Sequence, residues 1–274
     1  LEVIVKERLF AHKLIEECML MANKTVALHV DNLRKALKTG ASAKTKASKQ
    51  PFPYFYRIHD KPDPEKFGHV LENIKPIGIF MENKGPVTPK EINTLLEKVD
   101  GTEVETIVNQ LMLRAMAKAE YAPGNIGHFG LMFENYTHFT SPIRRYPDLI
   151  VHRLINDIIN KKNISIKDLE SLCLHCSSME ERATKAERAS IKLMQVKYMS
   201  DKVGYSYDGV VSGINERGLF VEIKKNKCEG FVRMKDIPND FFDFNRNTNT
   251  INGQNTLEEY SLGDDVRIKV IKVN

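Results

Sequence analysis

Between about Val5 and Val30, Ile15, Met19, Ala22 and Val26 recur at spacings of three and four among Leu9, Lys13, Glu16 and Glu17, the period of a helix with one apolar face. The period fades from Arg34 to Gln50, where Lys, Ala and Ser dominate, and a solvated loop is expected there. Pro51 and Pro53 restart an extended segment ending at Arg57, and Pro62 and Pro64 precede a short helix over about Glu65–Asn73. Thr88-Pro89-Lys90-Glu91 has the spacing of a capping box with proline at the first helical position, predicting a helix to about Lys98. Another helix is expected over Val104–Ala119, with Ile107, Leu111 and Ala115 on one face. Gly124, Gly127 and Gly130 punctuate a loop or strand region, after which helices are expected over roughly Pro142–Lys161 and Ile166–Met199.

The period changes from helical to alternating near Lys202. Short runs such as Gly218-Leu219-Phe220-Val221-Glu222-Ile223 and Val266-Arg267-Ile268-Lys269-Val270-Ile271, separated by glycine turns, predict a small antiparallel β domain. An Asn-rich stretch from about Pro238 to Glu259 reads as a long loop with little core. The fold class expected is therefore α+β, a largely helical part over 1–201 with a loop at 34–50, then a small all-β barrel over 202–274.

Composition narrows the function classes. An apolar fraction of 42% over 274 residues supports a real core and argues against wholesale disorder. Lys and Arg exceed Asp and Glu by 41 to 36, which permits a nucleic-acid partner without requiring one. The excess sits in the first part, which holds 31 basic against 25 acidic residues, whereas the segment from Val203 holds 10 against 11. The β domain must therefore bind an anion with local groups. The four cysteines, Cys18, Cys173, Cys176 and Cys228, form no disulfide framework and fit a reducing cytoplasm. No apolar run is long enough to span a bilayer, so no membrane partner is expected. Cys173-Leu174-His175-Cys176 lacks the second ligand pair of a structural zinc site and is expected to be helical, with buried thiols.

The stretch His138-Phe-Thr-Ser-Pro-Ile-Arg-Arg-Tyr-Pro-Asp-Leu149 carries the sharpest chemistry. Ser141 suits a helix N-cap and Pro142 the first helical position, a combination that presents free N–H groups to an anion. Arg144 in that first turn would add a planar fork matched to phosphate oxygens, although a cation there opposes the helix dipole. Pro147 would kink the helix. Asp148 is spaced to pair with Arg144 or Arg145, and an ion-pair network of Arg145, Asp148 and Arg153 has comparable weight for those residues.

These residues resemble the signature of the ribonuclease II and ribonuclease R family, with wording nearer the ribonuclease R branch. Lys13–Asn23, Pro53–His59, Pro62–Lys66, Tyr121 and Gly127-His128-Phe129-Gly130-Leu131 extend the resemblance across nearly the whole first part. Gly209-Val210-Val211, Gly218–Val221, Gly230-Phe231-Val232 and Leu262–Val266 resemble the S-one type of OB fold. The resemblance implies a processive 3′-to-5′ exoribonuclease that hydrolyses single-stranded RNA to nucleoside 5′-monophosphates by two-metal catalysis, working as a monomer in the cytoplasm. It implies that Arg144 stands beside the scissile phosphate, with Glu16, Tyr146 and Glu187 near the RNA. Phe220 and Arg233 match the binding face of the OB fold, whereas Phe231 is expected in the core. His128 and His138 are expected as hydrogen-bonded structural histidines.

Magnesium is implied as cofactor, yet no run of closely spaced aspartates is present; Asp60 with Asp63 and Asp264 with Asp265 are poor substitutes. The metal ligands are expected upstream of this chain, which reads as a C-terminal portion with its last β-strand missing, inactive by itself. A non-catalytic RNA-binding protein on the same scaffold is the alternative.

Overall fold

The structure is a computed structural model that describes residues 9–39, 53–75, 78–81, 87–102, 104–160, 162, 166–246 and 248–273. The chain divides into two compact units, one with residues 7–61 and 117–186, the other with 62–116 and 187–274.

The first unit opens with α1 (Phe10–Thr39), which continues past the end expected near Val30. Residues 34–39 of the loop expected over 34–50 are therefore helical, and residues 40–52 lie outside the described residues. The extended segment after Pro53 ends in β1 (Tyr56–Ile58), which pairs antiparallel with β2 (Glu120–Ala122). Tyr54, Phe55, Tyr56 and Tyr121 are buried there against Val30 of α1 and against Ile150, Val151 and Leu154 of α5 (Tyr146–Ile159). Cys173 and Cys176 of α6 (Leu169–Met199) complete that core. Burial pushes the Cys173 thiol up to about 12 and raises that of Cys176, so both behave as small apolar side chains.

Three short helices pack together in the second unit. α2 (Pro64–Ile74) is capped by Asp63, whose carboxylate accepts the Glu65 N–H at 2.9 Å, and buries Phe67, Val70, Leu71 and Ile74. α3 (Pro89–Val99) carries the expected capping box: Thr88 N–H donates to Glu91 at 2.8 Å, and Glu91 N–H donates to the Thr88 hydroxyl at 3.3 Å. Such a cap contributes about 1 kcal/mol. α4 (Glu105–Ala115) stops short of the expected Ala119, because 120–122 are taken by β2.

The β region of this unit contains a four-stranded antiparallel sheet in the order β5-β4-β3-β9, from β3 (Ser206–Asn215), β4 (Gly218–Ile223), β5 (Glu229–Arg233) and β9 (Asp265–Lys269). Gly218 has φ +149°, and a Cβ there would meet the Val232 carbonyl oxygen at 2.0 Å, so the strand crossing admits no side chain.

The Asn-rich stretch corrects the expectation of a long loop. It forms a second sheet, β6 (Phe242–Asn245), β7 (Thr250–Gly253) and β8 (Glu259–Tyr260), in that order. Phe242 and Ile251 are buried with Val211, Leu219 and Val221, so this excursion supplies part of the barrel core. Two well-placed apolar side chains suffice when the surrounding polar groups are answered locally. Asp240 accepts the backbone N–H groups of Asn255 and Thr256 at 2.9 and 2.7 Å, closing the turn. Among the described residues, no helix is long and apolar enough to cross a membrane.

Candidate functional site

The helix carrying the motif starts later than its sequence suggests. α5 begins at Tyr146, with Arg145 at the N-cap and Pro147 in the first turn. Ser141 is therefore not an N-cap, and Pro142 lies in a tight turn in which Arg144 and Arg145 N–H groups both reach the Ser141 carbonyl, at 3.3 and 3.0 Å. Pro147 is in a position where its missing N–H costs nothing, so it initiates the helix and does not kink its interior. The sequence placed the helix one turn early because Ser-Pro is itself a strong start signal.

Asp148 explains the difference. It is completely buried, and its Oδ1 accepts the Ser141 N–H at 2.8 Å and the Arg145 Nη2 at 2.8 Å. One carboxylate oxygen thus ties the turn to the helix and fixes Arg145. Asp148 Oδ2 and Arg145 Nε are buried with no hydrogen-bond partner among the described residues. Arg153 takes no part in this network among the described residues; it is exposed.

Arg144, which precedes the N-cap, is exposed. Among the described residues its guanidinium has no hydrogen-bond or ion-pair partner. The paired arginines therefore have opposite fates: Arg145 is held by a buried carboxylate, and Arg144 faces solvent with its five donors available. Tyr146, next in sequence, is 52% exposed.

The segment leading to this turn, residues 136–141, belongs to no helix or strand; the Tyr136 carbonyl accepts the Arg57 N–H of β1 at 2.9 Å, and side chains hold its later residues. Asn23 of α1 is 3% exposed; its Oδ1 accepts the N–H groups of Phe139 and Thr140 at 2.9 and 3.2 Å, and its Nδ2 donates to the Tyr136 hydroxyl at 3.1 Å. His152 of α5 donates from Nε2 to the Phe139 carbonyl at 2.8 Å, and its ring stacks on Phe139 at 4.0 Å. Neither Asn23 nor His152 stands out in sequence; both emerge as anchors only through contacts far along the chain.

A cluster of rings lies behind the turn. His138 Nδ1 and the Tyr121 hydroxyl are hydrogen-bonded at 2.8 Å, as expected for a structural histidine. Burial, then the charges of Arg145 and Arg57, push His138 down to about 2, so it is neutral at physiological pH. His128 departs from expectation: its Nδ1 is buried without a partner among the described residues, and its ring packs against His59 and Tyr136. Burial, then the neighbouring His59, lower it to about 4. His59 accepts the Gly130 N–H at Nδ1 (2.9 Å) and donates from Nε2 to the Ala117 carbonyl (2.8 Å), which assigns the neutral Nε2–H tautomer. Arg57 donates to Glu180 at 2.6 Å and lies over the Tyr121 ring at 4.7 Å, linking β1, β2 and α6.

The remaining expected RNA contacts are placed as follows. Glu16 is half-buried on α1. Glu187 is exposed on α6 and belongs to the second unit, whereas Arg144, Tyr146 and Glu16 belong to the first. On the four-stranded sheet, Phe220 and Phe231 are directly opposite on β4 and β5, with ring centroids 4.9 Å apart. Phe231 is 43% exposed, which corrects its expected place in the core. Its strand alternates so that Val232 turns inward to the barrel core and Phe231 and Arg233 do not. Arg233 is exposed but held by Asp236, at 2.5 Å from Nε and 3.1 Å from Nη2.

Among the described residues, no group of three or more His, Cys, Asp or Glu side chains is placed to hold a metal ion. The described side chains do not fit a magnesium site.

An RNB domain model matches residues 1–161, and an S1 RNA binding domain model matches residues 200–274. Ribonuclease R of Aquifex aeolicus is 36% identical over 272 residues, 98% of this chain and 36% of its own length. Ribonuclease R of Thermotoga maritima is 34% identical over 281 residues, covering 100% of this chain and 37% of its own length. The chain thus spans about a third of the length of these curated relatives. Mycoplasma genitalium RNase R, solved in complex with ribose methylated single-stranded RNA, superposes with a TM-score of 0.83 at 26% identity, covering 100% of this chain and 43% of that one. With the RNB model matching well over half of its residues, and the Thr-Ser-Pro-Ile-Arg-Arg turn held in place by Asn23 and Asp148, the chain belongs to the RNB family and carries an S1 RNA binding domain.

Proposed function

We propose that this chain is the phosphate-binding and RNA-guiding portion of a processive 3′-to-5′ exoribonuclease that acts as a monomer on single-stranded RNA and releases nucleoside 5′-monophosphates. The observation that carries this reading is the division of labour between the adjacent arginines: Asp148 fixes Arg145, and Arg144 is exposed and unpaired among the described residues, on a turn held on both sides by side chains. A guanidinium so placed meets a phosphodiester with no cost of breaking an existing ion pair, and its role is to stabilise charge developing on the phosphoryl oxygens. The related ribonuclease R sequences and the RNA-bound relative support the substrate class.

In this reading residues 1–201 belong to the RNB portion and 202–274 to the OB domain of S1 type. Glu16 and Tyr146 of the first unit and Glu187 of the second are each RNA-contacting residues. Phe220 stacks on bases, aided by Arg233, and recognition runs through backbone and base faces, giving little sequence preference. Magnesium belongs to this reading through the family alone, with its ligands outside the described residues, and the 274-residue chain alone is inactive. The deciding experiment is Arg144→Ala in the full-length protein, measured as 3′-end cleavage and RNA binding in parallel. Loss of cleavage with binding retained supports the assignment; unchanged turnover overturns it.

A further inference from the structure

The 136–141 segment must find partners for its backbone N–H groups outside any helix or sheet, because each one left buried and unpaired is costly. Three consecutive groups are answered by two side chains. Asn23 takes Phe139 and Thr140, and Asp148 takes Ser141. Asp148 and His152 both belong to α5, so they bind the turn to its own helix. Asn23 belongs to α1, and its hydrogen bonds tie turn and α5 together to a different element. The Tyr136 hydroxyl, which accepts from Asn23 Nδ2, fixes the amide orientation, so the oxygen necessarily faces the two N–H groups.

We propose that Asn23 is a positioning residue for the phosphate-binding arginine: it sets where Arg144 stands relative to α1 without touching RNA itself. The inference rests on the reading of Arg144 given above. Glu16 lies seven residues before Asn23, two turns earlier on the same helix face, so the face that positions the turn is also the face expected to follow the RNA. Cutting the Asn23 anchor leaves the turn attached to α5 and frees it from α1. Residues 138–141 are half-buried, so they can shift outward until water answers the two N–H groups. Arg144 moves with them. A displacement of about 1 Å at a group that must meet a developing charge is enough to lower turnover about a hundredfold.

The test uses the full-length protein with Arg144→Ala, Asn23→Ala, the double variant and Asn23→Asp, each measured for single-turnover cleavage of single-stranded RNA and for RNA affinity. Asn23→Ala is expected to lower the cleavage rate about a hundredfold while affinity stays within about threefold. The double variant is expected to be no slower than Arg144→Ala, since a residue that acts through Arg144 has nothing left to position. Asn23→Asp keeps an oxygen for both N–H groups, and the Tyr136 hydroxyl can turn to donate to it, so most of the rate should return. Effects of Asn23→Ala and Arg144→Ala that multiply in the double variant would overturn the inference, as would an unchanged rate in Asn23→Ala. Should Asn23→Ala fail to fold, Asn23→Ser, whose hydroxyl is too short to reach both groups, is read against its own double variant in the same way. Failure of the underlying reading is separately visible, because Arg144→Ala would then cleave at the parent rate whatever Asn23 does.

Discussion

Arg145 donates to the fully buried Asp148 across 2.8 Å, while Arg144, one residue earlier, is exposed outside that pair. Adjacent residues of one type therefore have separate physical roles, one in stability and one in recognition. Removing one partner of a buried ion pair leaves an uncompensated charge, so Asp148→Ala should destabilise by about 3–5 kcal/mol. Arg144→Ala, at an exposed position, should change stability by less than about 0.5 kcal/mol. Urea unfolding of both variants checks this; equal losses would contradict the division.

His138 and His128 make stability depend on pH. Both are held below the usual histidine value of about 6.5, to about 2 and about 4, chiefly by burial. Their stabilising contribution is complete above pH 6.5, where folded and unfolded forms are both neutral. As pH falls below 6.5 the unfolded chain takes up protons that the folded chain refuses, each histidine costing up to about 1.4 kcal/mol per pH unit. The loss from His128 ends near pH 4 and that from His138 continues towards pH 2. Urea midpoints should therefore fall between pH 7 and 4.5, and His138→Phe should flatten that slope; an unchanged slope would refute the assignment.

On the β sheet, Phe231 is exposed opposite Phe220 and should stack on bases alongside it. Phe231→Ala should weaken single-stranded RNA binding by about 1–3 kcal/mol. Arg233→Ala should cost less, because its guanidinium is already engaged with Asp236 and must exchange that exposed pair for a phosphate. Fluorescence anisotropy with a short labelled RNA orders the two; a larger effect at Arg233 would reverse this assignment.

The 274-residue chain by itself should not cleave RNA in the presence of magnesium. Asp60 lies beside β1 and Asp63 caps α2, while Asp264 and Asp265 meet the Ser261 N–H and Lys224, so these carboxylates already have structural work. Magnesium-dependent release of mononucleotides by the purified chain, abolished by Arg144→Ala, would disprove this expectation.

Much of this protein is written locally. The capping box at Thr88–Glu91, the turn from helical to alternating period near Lys202 and the Thr-Ser-Pro-Ile-Arg-Arg motif are each legible because the determining atoms lie within a few residues of one another. The buried thiols of Cys173 and Cys176 were legible for the same reason, being three apart on one helix face. What the sequence left open was decided by partners distant along the chain. The start of α5 depends on Asp148, whose Oδ1 takes both the Ser141 N–H and the Arg145 side chain and so ties the preceding turn to the helix as a separate turn. The second sheet depends on Phe242 and Ile251 meeting Val211 and Leu219, too few apolar residues to show a period in an Asn-rich stretch. Phe231 faces outward because the pairing register with β4 places Val232 inside. Asn23, an amide in a helix with no local signal, acquires its role from Phe139 and Thr140, 116 and 117 residues away. Period and caps are short-range consequences of backbone geometry, whereas register and the satisfaction of buried polar groups are settled only when separate elements meet.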